Sequence, residues 1–182
     1  MKKLILNLLV LCSICLFSQT PSNEKWLAYL EARDLIDKGF AKYDSQDYKG
    51  AILDFNKVIE LDPMNKTTLL QKAYFNRGKS KYNIGDYIGA ILDFNKAIEL
   101  YSDDDYSYFY RGESKINLGD KRGAILDFNK AIQLYPNKYY YFARGKANYS
   151  LGNKNDACLD WSKSGELGNT DAYDLIKKYC NN

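Results

Sequence analysis

A seven-residue segment occurs three times in this 182-residue chain and a fourth time in altered form. The segment Ala-Ile-Leu-Asp-Phe-Asn-Lys begins at Ala51, Ala90 and Ala124, and Ala157 begins the altered copy, Ala-Cys-Leu-Asp-Trp-Ser-Lys. The copies are 39, 34 and 33 residues apart. A glycine stands twelve residues before each alanine, at Gly39, Gly78, Gly112 and Gly145. A period near 34 residues indicates that one structural unit is repeated and stacked on itself.

Each unit has the pattern of two helices joined by a tight turn. The pairs Gly85-Asp86, Gly119-Asp120 and Gly152-Asn153 each combine a helix stop with an N-capping side chain, and Ser45-Gln46-Asp47 is the weaker first version. Glycine inside a helix costs about 1 kcal/mol relative to alanine. The four repeated glycines therefore predict a close approach of the paired helix, with its alanine meeting the glycine. Pro63 and Pro136 follow the second helices, where a helix must end.

These markers resemble the tetratricopeptide repeat over about residues 32–171. The resemblance implies an all-α fold, an α-solenoid of four helix-turn-helix repeats plus a C-terminal capping helix. We assign residues 1–18 to a secretory signal peptide and 19–31 to an N-terminal extension of the first helix. The repeats are 32–65, 71–104, 105–137 and 138–171, with an insertion at 66–70 and the capping helix and C-terminus at 172–182. The capping helix itself is predicted over residues 171–179.

The resemblance implies that the first helix of each repeat lines a concave groove that binds an extended peptide or a helix of a partner protein. The groove positions are Phe75, Asn76, Lys79, Tyr82, Tyr106, Phe109, Tyr110, Glu113, Asn117, Tyr139, Phe142, Lys146 and Tyr149. Aromatic rings with a few polar groups suit peptide binding, although some of the rings are expected to pack between repeats. The stretches 106–110 and 139–142 are predicted to form one continuous tyrosine surface. The subtype that binds acidic chaperone tails is not expected, because only Asn76 matches its Lys and Asn set.

A basic residue precedes each repeated glycine, where the family usually has leucine. An aspartate follows sixteen residues later in every repeat, which predicts the pairs Lys38–Asp54, Arg77–Asp93, Arg111–Asp127 and Arg144–Asp160. The alternative is that duplication merely copied both residues. We interpret the pairs as structural ion pairs between the two helices of a repeat.

Two cysteines, Cys158 and Cys180, lie outside the N-terminal segment. Antiparallel helices on either side of Gly168 would bring them to the same level, within disulfide reach. Buried or exposed free thiols are the alternative. A disulfide would suit an oxidising compartment and would fasten the end of the array.

The N-terminus predicts export from a bacterial cell. Lys2 and Lys3 precede an apolar run from Leu4 to Phe17, which is typical of a signal peptide cut after Ser18, and an uncleaved anchor is the alternative. Neither Cys12 nor Cys15 follows a small residue, so no lipid attachment is predicted. The expected location is the periplasm or the outside of the cell.

Charge and composition disfavour most enzyme classes and nucleic-acid binding. The chain has no histidine, no Gly-rich phosphate loop and no metal-ligand spacing, so we predict no enzyme, cofactor or metal. Without Lys2 and Lys3, 24 basic side chains balance 23 acidic ones, which lacks a nucleic-acid footprint. We therefore predict a non-enzymatic scaffold or adaptor of the cell envelope that binds a protein or peptide and takes no small-molecule substrate. The alternative is a structural subunit or self-assembling homo-oligomer.

Overall fold

The computed structural model describes residues 21–61 and 68–180, with side chains from Asn23 onward. Within these residues the secondary structure is entirely helical. The helices are α1 (Pro21–Asp44), α2 (Tyr48–Leu61), α3 (Thr68–Asn83), α4 (Tyr87–Leu100), α5 (Asp105–Asn117), α6 (Lys121–Leu134), α7 (Lys138–Ser150), α8 (Lys154–Glu166) and α9 (Asp171–Tyr179). This order confirms the all-α prediction of helical hairpins followed by a capping helix. The predicted signal peptide and Pro63 lie outside the described residues.

Side-chain caps begin most of the second helices of the hairpins, here called the outer helices. Asp47, Asp86 and Asp120 each accept a hydrogen bond from the backbone N–H three residues later, at 2.9 Å from N to Oδ1. These bonds satisfy N–H groups that the helix cannot pair itself. The fourth expected cap is wrong, because Asn153 makes no such hydrogen bond to α8.

The repeated glycines lie against the aromatic ring of the outer helix, and not primarily against its alanine. A Cβ placed on Gly112 would lie 2.7 Å from Cε1 of Phe128, closer than atoms can pack. The same holds for Gly39 against Phe55 and for Gly78 against Phe94. At Gly145 the ring is that of Trp161, and the backbone oxygen of Ala157 lies 3.2 Å from the same Cβ position, so the predicted contact with the alanine is present there beside the ring. The missing side chain makes room for a ring that is fully buried.

The described chain divides into two compact units within α3, after Ala73. The first unit contains α1, α2 and the start of α3. Its core is formed by buried apolar side chains on all three helices: Ala32, Leu35, Ile36, Ala51, Phe55, Val58 and Ala73. Helix α3 starts at Thr68, so residues 68–70 of the predicted insertion are helical.

The second unit runs from Tyr74 to the C-terminus and contains the rest of α3 and helices α4 to α9. One core cluster joins Ala124 and Phe128 of α6 to Ala147 of α7. A second cluster joins Ala157 and Trp161 of α8 to Ala172 of α9. Helix α9 thus covers the apolar side of the last hairpin, as expected of a capping helix. No helix in the described ranges is long and apolar enough to cross a membrane.

Candidate functional site

All thirteen predicted groove residues belong to the second unit, on α3, α5 and α7. We call the face that these three helices carry from Tyr74 onward the inner-helix surface. Tyr106 and Tyr139 are the most exposed of its aromatic residues, at 53% and 57%. The exposed or half-buried positions are Phe75, Lys79, Tyr82, Tyr106, Phe109, Tyr110, Glu113, Asn117, Tyr139, Phe142, Lys146 and Tyr149. Asn76 is buried, so its assignment to a partner-binding surface was wrong.

Tyr110 is a packing residue as much as a surface residue. Its ring centroid lies 5.3 to 6.0 Å from those of Phe75, Tyr82, Phe94 and Phe109. Such edge and stacked contacts stabilise the stack of hairpins beyond simple burial. A substitution at Tyr110 would therefore disturb the fold together with the surface.

The predicted continuous tyrosine surface is interrupted by Tyr140, which is buried. Its hydroxyl donates a hydrogen bond to Oδ2 of Asp105 at 2.7 Å, and its ring lies 4.8 Å from that of Phe109. The pKa of Tyr140 is raised far above its usual range, mainly because the side chain is buried and secondly because of the hydrogen bond to this carboxylate. The expectation of one surface from 106 to 142 was therefore wrong. Three consecutive tyrosines on a helix must point in different directions, which the sequence could have revealed.

Two further tyrosines of those stretches face away from the inner-helix surface. Tyr108 lies under the guanidinium of Arg111 at 5.2 Å, and Tyr141 lies under that of Arg144 at 5.5 Å. Both arginines belong to the ion-pair network between the helices of a hairpin. These rings support that network through cation–π contacts.

A pocket of about 340 Å³ opens between α5 and α7. Five of the predicted groove residues line it: Phe109, Glu113, Tyr139, Phe142 and Lys146. The remaining lining residues are Ile116, Lys121, Ala143, Ala147 and Ser150. Mostly apolar walls with a few polar groups are the usual composition of a binding pocket.

The polar groups of this pocket carry both signs of charge. Burial raises the pKa of Glu113, and the nearby Lys146 opposes that shift. Nζ of Lys146 lies 5.7 Å from the centre of the Phe142 ring. Nζ of Lys121 donates to the backbone carbonyl of Ser150 at 3.2 Å. The pocket therefore offers an acceptor and two amine donors around apolar walls.

Three of the four predicted ion pairs lie together in the structure. Arg77, Arg111 and Arg144 each approach their aspartate through two nitrogens, with Nε at 2.9 to 3.0 Å and Nη2 at 2.5 Å. The aspartate side chains are only 3–6% exposed, whereas the arginines are 16–23% exposed. The geometry is the bidentate fork that favours arginine over lysine.

The pairing predicted for Lys38 and Asp54 was wrong. Lys38 pairs with Asp34 on the solvent side of its own helix, at 2.6 Å, and Lys42 pairs with Asp54, also at 2.6 Å. Lysine lacks the forked guanidinium through which the arginines hold the aspartate. The contact from Lys42 is the equivalent of one that the next two hairpins make in addition to their arginine.

Sequence reasoning missed the remaining members of this network. Lys81 and Lys115, four residues after the arginines, contact Asp93 and Asp127 at 2.9 and 2.8 Å. In the last hairpin the equivalent residue, Asn148, donates to Oδ2 of Asp160. The repeat register, with a polar residue at the same position each time, was the signal that could have revealed them.

Two asparagines of the repeated segment connect successive hairpins. Asn95 accepts a hydrogen bond from Nη1 of Arg111 at 2.7 Å, and Asn129 accepts one from Nη1 of Arg144 at 2.6 Å. Each arginine therefore bridges its own aspartate and the preceding hairpin. Such shared donors fix the orientation of neighbouring repeats.

The two cysteines lie within bonding distance. Cys158 on α8 and Cys180 after α9 form a disulfide with their Cα atoms 5.8 Å apart. The bond joins the capping helix to the last hairpin. Within residues 21–61 and 68–180, no three His, Cys, Asp or Glu side chains come together in a way that could hold a metal ion.

Comparisons with known proteins place this geometry in a family. Models described as Tetratricopeptide repeat match residues 71–104 and 106–138, close to the second and third predicted repeats. No curated protein matches the sequence. The second and third predicted repeats are therefore tetratricopeptide repeats, which confirms the resemblance inferred from the repeated glycines and alanines.

Solved structures show the same fold. The crystal structure of the MamA protein is 25% identical, covers 75% of this chain and 73% of its own, and has a TM-score of 0.67. The first TPR of Spaghetti (RPAP3), bound to the HSP90 peptide SRMEEVD, is 24% identical with a TM-score of 0.61, over 68% of this chain and 94% of its own. YrrB, described as a TPR protein with an unusual peptide-binding site, is 19% identical with a TM-score of 0.65. It covers 76% of this chain and 71% of its own.

Proposed function

We propose that this protein is a non-enzymatic interaction module that binds a peptide or helix of a partner protein through the inner-helix surface. The observation that carries the proposal is the pocket between α5 and α7, which five predicted groove residues line. Peptide binding by two proteins of similar fold, RPAP3 and YrrB, supports it. In this proposal the stacked repeats position the inner-helix surface, and the pocket binds a side chain of the partner.

The pocket suits one large apolar side chain of the partner. Its volume of about 340 Å³ exceeds that of any single side chain, so one ring or aliphatic chain can enter with part of the adjoining backbone. The rings of Phe109 and Phe142 would flank that side chain. Glu113 and Lys146 would then accept from and donate to the adjoining backbone, which fixes the direction of the peptide.

The exposed tyrosines extend the contact beyond the pocket. Tyr106 and Tyr139 offer more than half of their surfaces, and each has only two rotatable side-chain bonds. Tyrosine therefore contributes a large contact area at a small cost in conformational entropy. We place the site of action in the bacterial envelope, in the periplasm or outside the cell, on the basis of the N-terminal residues 2–17.

The test places a photoreactive amino acid at Tyr139 in the full chain and crosslinks in the native cell. The control places it at Tyr135, which is 60% exposed and does not line the pocket. We expect one partner to be crosslinked at position 139 and not at 135. Crosslinking of the same partner at 135 alone would place binding on another face.

Binding of the captured partner is then measured with purified proteins. The variant Tyr139→Ala, Lys146→Ala removes two exposed pocket groups, and Tyr101→Ala, Tyr135→Ala removes two tyrosines of similar exposure outside the pocket. Loss of central aromatic and charged contacts typically costs about 2 kcal/mol or more, so the Kd should rise at least about thirtyfold in the first variant only. Equal affinity in both variants would refute the proposal.

A further inference from the structure

One leucine is exposed at the same place in every outer helix. In the second unit these residues are Leu92 on α4, Leu126 on α6 and Leu159 on α8, with exposures of 61%, 69% and 70%. In the first unit Leu53 holds the equivalent position on α2 and is 61% exposed. We call Leu92, Leu126 and Leu159 the leucine ladder. It lies on different helices from the inner-helix surface.

The fourth repeat shows that copying alone does not account for the ladder. The segment that starts at Ala157 has changed the isoleucine, the phenylalanine and the asparagine of the other copies, but it keeps the alanine, the leucine, the aspartate and the lysine. The alanine is fully buried and the aspartate is held by Arg144. Leu159 has no comparable structural role, because 70% of its surface faces solvent. A large apolar residue kept there points to a contact outside the chain.

The spacing and charge of the ladder fit a second copy of this chain. Leu126 lies midway, 34 residues after Leu92 and 33 before Leu159. Because the hairpins repeat one packing arrangement, three evenly spaced leucines match themselves when a second copy is turned end for end. A two-fold interface requires that kind of self-complementary surface.

The charges beside the ladder argue against an anionic bilayer as its partner. Lys96 and Lys163, each one turn after a ladder leucine, pair with Glu99 and Glu166 at 2.7 and 2.9 Å. The third ladder leucine, Leu126, is followed one turn later by Lys130, and Gln133 stands where the other two helices have glutamate. The ladder therefore has one lysine without such a glutamate beside it, which is a single charge and not a basic cluster. Anionic lipid is recognised by unpaired basic clusters.

We propose that the leucine ladder is a homodimer interface in which two copies meet antiparallel. Leu126 then faces Leu126 of the second copy, and Leu92 faces its Leu159. A stable interface buries about 800 Å² on each partner, more than three leucines supply, so Ile88, 65% exposed, and the Lys–Glu pairs complete it as an apolar centre with a polar rim. The proposal is independent of partner binding by the inner-helix surface.

The first test measures the molar mass of the full chain by light scattering across a concentration series. The variant Leu92→Gln, Leu126→Gln, Leu159→Gln keeps good helix formers and adds no charge. The control replaces Ile84, Leu118 and Leu151 with Gln. These three exposed residues lie at the turn between the two helices of successive hairpins. We expect a dimer for the wild type and the control, and a dissociation constant at least about tenfold higher for the ladder variant. All three proteins carry the same N-terminus, so any association through residues 4–17 cancels.

The second test detects the two-fold axis. In a Cys12→Ser, Cys15→Ser background, Leu126→Cys should form a disulfide-linked dimer under mild oxidation, whereas Leu92→Cys alone should not, because it faces Leu159. A monomeric wild type, an unchanged dimer in the ladder variant, or crosslinking at 92 but not at 126 would each overturn the proposal. Pelleting of the monomer with phosphatidylglycerol vesicles, lost in the ladder variant, would assign the ladder to lipid instead. None of these outcomes bears on the pocket, which the Tyr139 variants test separately.

Discussion

Replacing Asp127 with Asn tests whether the repeated ion pairs stabilise the hairpins. Asp127 is buried and receives Nε of Arg111 at 3.0 Å, Nη2 of Arg111 at 2.5 Å and Nζ of Lys115 at 2.8 Å. Asparagine keeps the size of the side chain but loses the negative charge and one acceptor oxygen. The two cations are then left close together on the same side of the hairpin.

The expected loss follows from the burial of these three groups. Removing one partner of a buried ion pair costs about 3–5 kcal/mol, because the other charge remains buried without compensation. Arg111 and Lys115 are 19% and 22% exposed, so water compensates part of this cost. We expect Asp127→Asn to lower the free energy of unfolding by about 2–4 kcal/mol.

The assay is urea unfolding of the full chain, followed by circular dichroism. With a denaturant slope of about 2 kcal/mol/M, the midpoint should fall by roughly 1–2 M. The matched control is Asp34→Asn, which removes the carboxylate from an exposed pair with Lys38 and should leave the midpoint unchanged within error. A loss below about 1 kcal/mol for Asp127→Asn would refute the buried-pair argument.

Three further predictions follow from the packing and the pocket. Gly112→Ala should destabilise the chain by about 1–3 kcal/mol in urea titrations despite the better helix propensity of alanine, because the new Cβ overlaps Phe128. Reducing the Cys158–Cys180 disulfide should lower the free energy of unfolding by about 3 kcal/mol, and the reductant should have no effect on the double serine variant. Burial raises the pKa of Glu113 above its usual 4.5, so its stabilising contribution is complete at low pH and is lost as pH rises through the folded-state pKa. Glu113→Gln should therefore be more stable than wild type at pH 7, with a difference that vanishes near pH 3; a constant difference across pH would contradict this.

Part of the site could be predicted from the sequence, because its residues recur at the same positions in each repeat. The arginine and aspartate positions recur sixteen residues apart, and the structure brings the pairs at Arg77, Arg111 and Arg144 together. Lys38 does not follow this pattern, because its unforked side chain pairs with Asp34 on its own helix. Periodicity alone could not show that substituting lysine for arginine changes the partner.

Other features depended on the direction of individual side chains. Tyr139 and Tyr140 are adjacent in sequence, yet the first is 57% exposed and the second is 2% exposed. The rotation of α7 against α5 decides which of the two reaches Asp105 and which lines the pocket. That rotation arises from the fit of whole helices, and composition does not encode it.

The sequence by itself determined the repeat, the helical hairpins and the resemblance to the tetratricopeptide repeat. These follow from contacts within a hairpin or between neighbouring hairpins, which a short, recurring pattern of glycine, alanine and aromatic residues specifies. Only the tertiary structure decided that Phe128 fills the space beside Gly112, that Asp54 pairs with Lys42 and not with Lys38, and that a leucine of the repeated segment faces solvent. Each of these depends on the angle and distance at which two helices cross, and packing of the complete chain sets both.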